Sequence, residues 1–328
     1  IDIQGPDAHS LLDFVYTNMF STLKIGKVRY GLMLREDGHV MDDGTTARLA
    51  ENHYVMTTTT AAAGQVMRHL DFVHQCLHPE WDVSFISVTE QWAQFSIAGP
   101  KSQELVNAVL DKPITSETFP FMSCASVGVL GEAGRLFRIS FSGEHGYEIA
   151  VPSRYGESLF RLLVSRAEEI GGGPYGMEAL NVLRLEKGFI THAEIHGRIT
   201  AFDLGMQRMV SEKKDCIGKT SASRPGLLDS DREQLIALKP VGSVKQITAG
   251  AHLFDLNDEP IRQNDKGYVT SVGFSPTFGH FIGLGFFKGG QSRLGEQIKM
   301  VDHLRGIETE CEIINTASFD PKGDRLRD

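Results

Sequence analysis

The chain has 328 residues, 41% of them hydrophobic and 23% charged, with a formal net charge of −9. This is globular composition with enough length for more than one core. The negative balance, broken near the end only by Arg325-Leu326-Arg327, argues against a phosphate-backbone binder, and no apolar run reaches membrane-spanning length.

In chain order, Ile1-Asp2-Ile3 reads as a strand already under way at the first residue, which implies a missing upstream segment. Gly5-Pro6 stops it, and apolar residues at helical spacing follow. Val40 to Thr58 reads as a hairpin and Ala61 to Leu77 as a helix, apolar at Val66, Met67, Leu70, Val73 and Leu77. The pattern then repeats. Phe95-Ser96-Ile97-Ala98-Gly99-Pro100 resembles Ile1 to Pro6. Arg135 to Phe141 reads as a strand, Ser142 to Gly146 as a turn, Tyr147 to Val151 as a strand and about Tyr155 to Ile170 as a helix. The reading is two duplicated α+β halves (1–94 and 95–210) packed as a pseudo-symmetric pair.

Gly171 to Gly176 reads as a connection into a helix over Met177 to Lys187. A polar linker at 211–231 precedes short strands, among them Gln234 to Leu238, Gly267 to Val272 and Phe281 to Gly285. Their spacing predicts a small β-barrel over 232–318, with a frayed tail at 319–328. Cys76, Cys124, Cys216 and Cys311 are widely spaced and form no C-x-x-C, which points to a reducing, cytoplasmic setting.

Asp42 and Asp43 close a Gly-containing turn and enter a β-rich run. Successive strand residues face opposite sides, so one of the acids points inward and needs a cationic or N–H partner, for which a ligand amine is a candidate. The ordinary alternative is a pair of solvated turn acids. Duplication places this hairpin and the one carrying Glu148 in corresponding positions, so that both acids border one central cleft. Gly171-x-Gly173-x-x-Gly176 follows a helix and not a strand, which is the wrong context for a dinucleotide loop. His192 and His196 are four apart, but no third ligand accompanies them, so no metal is expected. His74, Cys76 and His78 sit at a helix end and read as structural. No G-x-S-x-G is present. Leu183 to Gly188, alone, reads as an ordinary helix end with a glycine cap.

Together, the Asp42-Asp43 hairpin, Ser140 to Ile149, Leu183-Arg184-Leu185-Glu186-Lys187-Gly188, Ile217-Gly218-Lys219 and Thr270 to Gly279 resemble the aminomethyltransferase (glycine-cleavage T-protein) superfamily, in family order and over nearly the whole chain. The family's opening strand and helix are absent. Within the superfamily the chain resembles the C-terminal portion of the sarcosine oxidase α subunit. The segments carrying that likeness are Tyr30 to Gly38, Met41 to Gly44, Thr57 to Thr60, Ser87 to Ala93, Phe119 to Met122 and Lys288-Gly289-Gly290.

The resemblance implies a T-protein-like module that binds tetrahydrofolate. A flavin on partner segments or flavoprotein subunits oxidises an N-methyl amine, and the one-carbon unit passes to folate here. Asp43 then corresponds to the catalytic acid beside the reacting folate amine, with Asp42 adjacent. Glu148 grips the amino-pyrimidine edge and Tyr147 packs against the pterin. The chain departs from the family at Leu180, which replaces an arginine, at His192-Ala193-Glu194 and at Phe319. The departure at 192–194 puts the usual folate or subunit contact in question. Two alternatives stay open: a non-catalytic interaction subunit with this fold, and a stand-alone aminomethyltransferase acting on a lipoyl-bound amine. Lys187-Gly188-Phe189 lacks the cysteine of the related iron–sulfur assembly branch.

Overall fold

The computed structural model describes residues 1–242 and 245–327. The first half runs β1 (Asp2–Gln4), α1 (Ala8–Val15), β2 (Lys27–Leu34), β3 (Val40–Ala50), β4 (His53–Met56), α2 (Ala63–Phe72) and β5 (Ser84–Ile86). The second runs β6 (Trp92–Ala98), α3 (Ser102–Asn107), β7 (Cys124–Val129), β8 (Glu132–Phe137), β9 (Gly146–Pro152) and α4 (Gly156–Glu169). Sheet order is β2-β3-β4-β1-β5 in one and β6-β9-β8-β7 in the other. The series β1-β4-β3-β2 therefore matches β6-β9-β8-β7 strand for strand, and β5 is an addition on the outer side of β1. The duplication is real at the level of topology.

Its sequence marker has a conformational cause. Gly5 and Gly99, each before a proline, both hold positive φ, 138° and 117°, a region that glycine enters without the Cβ penalty. α1 buries Ala8, Leu11, Leu12 and Val15 against its sheet, the helical spacing expected of one packed face. Strand β2 went unread in the sequence because Leu32-Met33-Leu34 is buried on both faces and does not alternate. The strand expected over Arg135 to Phe141 stops at Phe137. Beyond it the Arg138 amide turns to Ser123 O (2.8 Å) and the Arg138 carbonyl accepts from Met122 N (2.9 Å).

The halves meet through corresponding strands. Lys27 and Ser123 form an antiparallel bridge, Val28 N donates to Met122 O (2.8 Å) and Cys124 N to Gly26 O (2.9 Å). Val28, Ala47, Cys124 and Phe137 pack as one apolar cluster across the join. Arg135 of β8 pairs with the buried Asp2 of β1 at 2.7 Å.

Helix α5 (Met177–Lys187) follows and ends at Gly188, φ 74°, a left-handed glycine cap. The barrel comprises β10 (Glu233–Pro240), β11 (His252–Asp255), β12 (Gly267–Ser275), β13 (His280–Lys288), β14 (Gln297–Asp302) and β15 (Ile307–Ile314), closed in the order β10-β13-β12-β11-β14-β15. Leu238, Leu253, Phe287, Ile298, Met300 and Ile313 fill it. This α+β architecture with a closed C-terminal barrel is the expected fold class.

Residues 319–327 of the expected frayed tail are held down, and Asp328 lies outside the described residues. Lys187, buried at the end of α5, places its ammonium on the Asp320 carboxylate at 2.8 Å. Phe319 N donates to Glu186 O (2.8 Å) and Arg325 pairs with Glu144 (2.7 Å). A buried ammonium needs a counter-charge, and the segment after the barrel supplies it.

Candidate functional site

Asp42 and Asp43 lie inside β3 and not on the turn before it, so they are not solvated turn acids. Alternation sends them to opposite faces. Asp42 is 2% exposed and points toward the helix-covered side, where its Oδ2 accepts from Thr59 N at 3.1 Å. Its Oδ1 is buried with no partner among the described residues. Burial raises its pKa, opposed by the Thr59 hydrogen bonds and, more weakly, by the charge of His192. Asp43, half-buried, lies on the other face, where the Tyr30 hydroxyl donates to its Oδ2 at 2.6 Å. Burial pushes the Asp43 carboxyl up to about 6; the Tyr30 hydrogen bond works against this and the neighbouring Asp42 charge adds to it. Burial and the Asp43 charge hold the Tyr30 phenol well above its ordinary range, so Tyr30 stays a donor at neutral pH.

Asp43 shares its face with Ala47, and Ala47 belongs to the cluster joining the halves. Four residues of strand separate them, about 13 Å. Glu148 is the register partner of Phe137, another member of that cluster, and antiparallel register partners share a face. Asp43 and Glu148 therefore rise from the facing surfaces of the two sheets, on either side of the apolar join.

Tyr147 does not join them. As the neighbour of Glu148 in β9 it faces the opposite side, fully buried in the core of the second half with Val106, Leu159 and Leu163. Its hydroxyl contacts His145 Nε2 at 3.1 Å. A residue next to Glu148 in a regular strand cannot share its pocket, which removes Tyr147 from direct contact with any ligand there.

Glu148 is half-buried, and its Oε2 accepts from the Gln94 side-chain amide. Burial raises its pKa and the Gln94 hydrogen bond opposes the rise. Gln94 and Ser96, together with Phe95 and Ile97 of the opposite face of β6, border a cavity of about 580 Å³ along that strand, whose wall includes Phe160, Tyr175, Met177 and Leu180; neither Glu148 nor Asp43 lines it. The Tyr175 hydroxyl reaches Ser96 Oγ at 3.2 Å.

Three partners of the acids were missed from sequence: Tyr30, Thr59 and Gln94. Tyr30 had a signal, since it alternates with Val28 on a strand preceding the Asp42-Asp43 hairpin. Gln94 had none, because its pairing depends on the register of β6 against β9.

Within the segment at 192–194, Glu194 has a structural task, while His192 and Ala193 are exposed. Glu194 is 0% exposed. It accepts from Arg184 (3.2 Å), from the Thr191 amide and hydroxyl (2.8 and 3.0 Å), and from the Thr270 and Ser271 hydroxyls (2.6 Å each). It ties α5 to barrel strand β12. His196 Nε2 lies 2.5 Å from the Tyr268 hydroxyl, and the His78 ring stacks on Trp81 at 3.8 Å. Among the described residues no cluster of three or more His, Cys, Asp or Glu is placed to hold a metal, and no helix is long and apolar enough to cross a membrane. The four cysteines are free thiols, Cys76 exposed and the others buried.

The GCVT N-terminal domain model matches residues 1–214, and the glycine cleavage T-protein C-terminal barrel domain model matches residues 234–320. A sarcosine oxidase subunit alpha of Rhizobium meliloti is 46% identical over 99% of this chain and 33% of its own length. The chain thus spans about a third of such relatives. An aminomethyltransferase of Listeria welshimeri is 28% identical over 97% of this chain and 83% of its own length. The crystal structure of the glycine cleavage system aminomethyltransferase T of Bartonella henselae shares the fold, with a TM-score of 0.82 over 98% of this chain and 83% of that one, at 22% identity. Both curated relatives carry enzyme names.

Proposed function

The chain belongs to the glycine-cleavage T-protein (aminomethyltransferase) family, and from that premise we propose that it is a tetrahydrofolate-binding one-carbon transfer module of a sarcosine-oxidase-like complex. The observation that carries the reading is the placement of Asp43 and Glu148 on facing sheet surfaces, each half-buried and each raised in pKa by burial. A reduced pterin fits that pair: its ring amines and N–H groups add donors, beyond Tyr30 and Gln94, for two partly desolvated carboxylates. Flavin chemistry belongs to partner segments or flavoprotein subunits.

When bound, tetrahydrofolate supplies the nucleophilic amines that accept the one-carbon unit. Asp43, held on Oδ2 by Tyr30, stabilises cationic charge at the reacting amine and takes a proton from it, a role suited to a carboxyl titrating at about 6. Glu148 accepts the paired N–H groups of the amino-pyrimidine edge and fixes the ring's orientation. Asp42, on the other face of β3, anchors the Thr59 loop instead of touching ligand. The buried join between the halves keeps bulk water from the reacting carbon.

Calorimetry with tetrahydrofolate tests this. Wild type binds; Glu148→Gln loses affinity by at least about tenfold; Asp43→Asn keeps most affinity and loses one-carbon transfer in the assembled complex. A wild-type chain that binds no folate leaves the interaction-subunit alternative standing. Copurification with a lipoyl carrier and no flavoprotein would favour the stand-alone aminomethyltransferase.

A further inference from the structure

Resting on the folate reading, we propose that Gln94 is a second reader of the pterin ring, completing with Glu148 an acceptor–acceptor–donor row that selects a 2-amino-4-oxo edge over a 2,4-diamino edge. Gln94 and Glu148 stand side by side on the inner face of adjacent strands: β6 and β9 pair in register with Gln94 opposite Ala150 and Ser96 opposite Glu148. One amide N–H of Gln94 is spent on Glu148 Oε2. An ionised carboxylate has no donor, so that contact fixes which end of the carboxamide faces Glu148. The second Nε2–H splays away from the carboxylate, and the Gln94 side chain is exposed at the border of the cavity beside Ser96 and Leu180. Read across, the two carboxylate oxygens and this N–H present acceptor, acceptor, donor.

A 2-amino-4-oxo pyrimidine edge presents the complement: the exocyclic amine and the ring N–H donate, and the 4-oxo accepts. A 4-amino group would instead set a donor against the Gln94 N–H. Turning the carboxamide over to accept from it would put the amide oxygen against the Glu148 carboxylate. Either arrangement leaves a polar group facing its like. No cation takes part. The nearby charged groups on this face, Arg135 and Asp2, are engaged with each other at 2.7 Å, and Arg135 lies over the Trp92 ring.

The test is calorimetric titration of the purified chain with 5-formyltetrahydrofolate and with its 4-amino-4-deoxy counterpart, which carries an amine in place of the 4-oxo group and no hydrogen on the adjacent ring nitrogen. Wild type is expected to favour the 4-oxo ligand by about tenfold or more. Gln94→Leu is expected to lower that ratio severalfold, leaving the part that Glu148 contributes by facing a ring N–H in one ligand and a bare nitrogen in the other, while the melting temperature stays within a degree or so, since Gln94 is exposed. A ratio unchanged between wild type and Gln94→Leu overturns the proposal while leaving the folate reading intact. Failure of wild type to bind either ligand overturns the folate reading and this proposal with it.

Discussion

Glu194→Leu is expected to be among the most damaging single substitutions outside the inter-sheet space. The carboxylate accepts hydrogen bonds from one guanidinium, one amide and three hydroxyls. Its removal strands the Arg184 guanidinium, itself 3% exposed, with Asn181, Phe189 O and Ser271 as its remaining partners. Breaking a buried pair from one side costs roughly 3–5 kcal/mol, because an uncompensated charge stays inside. At about 2 °C per kcal/mol for a chain of this size, the melting temperature should fall by ~6–10 °C. The double variant Arg184→Met/Glu194→Leu removes the stranded charge along with its partner and fills similar volume. It should be less damaged than Glu194→Leu alone, a coupling of several kcal/mol in the thermodynamic cycle. Thermal and urea unfolding of wild type, both singles and the double give the four corners. A Glu194→Leu loss under about 1 kcal/mol, or additive singles, would refute the claim that this network carries the α5–barrel junction.

Asp43 carries a pH signature. Its folded pKa is raised from 3.8 to about 6, so the stability associated with its protonated form is present below 3.8 and is lost as pH rises through about 6. Asp43→Asn keeps that stability, and its melting temperature should exceed wild type by more at pH 8 than at pH 5; a gap that does not widen would place Asp43 in the ordinary carboxylate range. Lys187→Met removes the ammonium that holds Asp320. The segment beyond Phe319 should then be clipped by protease roughly tenfold faster than in wild type, with the barrel itself intact; an unchanged clipping rate would mean the tail is held by other contacts.

The fold was legible where conformation dictates sequence. The Gly-Pro pairs at 5–6 and 99–100 marked the repeat because few residues tolerate the positive φ before each helix. The barrel announced itself through short strands at regular spacing. The Asp42-Asp43 pair pointed to a site because acids inside a strand need partners, but which acid faces inward follows from pairing register, and that is set by residues far along the chain. Tyr147 shows the reverse: the family resemblance put it against the pterin along with Glu148, whereas strand alternation alone separates the two. The roles of Lys187 and Glu194 were hidden for another reason. Their partners, Asp320 and the Thr270-Ser271 pair, lie more than 70 positions away, and no local pattern links them.

The contact between Lys27 and Ser123 has a consequence for the chain as a whole. Each half offers the same rim strand to the other, so a seam built from equivalent parts occupies hydrogen-bonding groups that a lone half would leave bare. A gene fragment encoding only one of them would be left with an open, sticky flank whose best available match is another copy of itself.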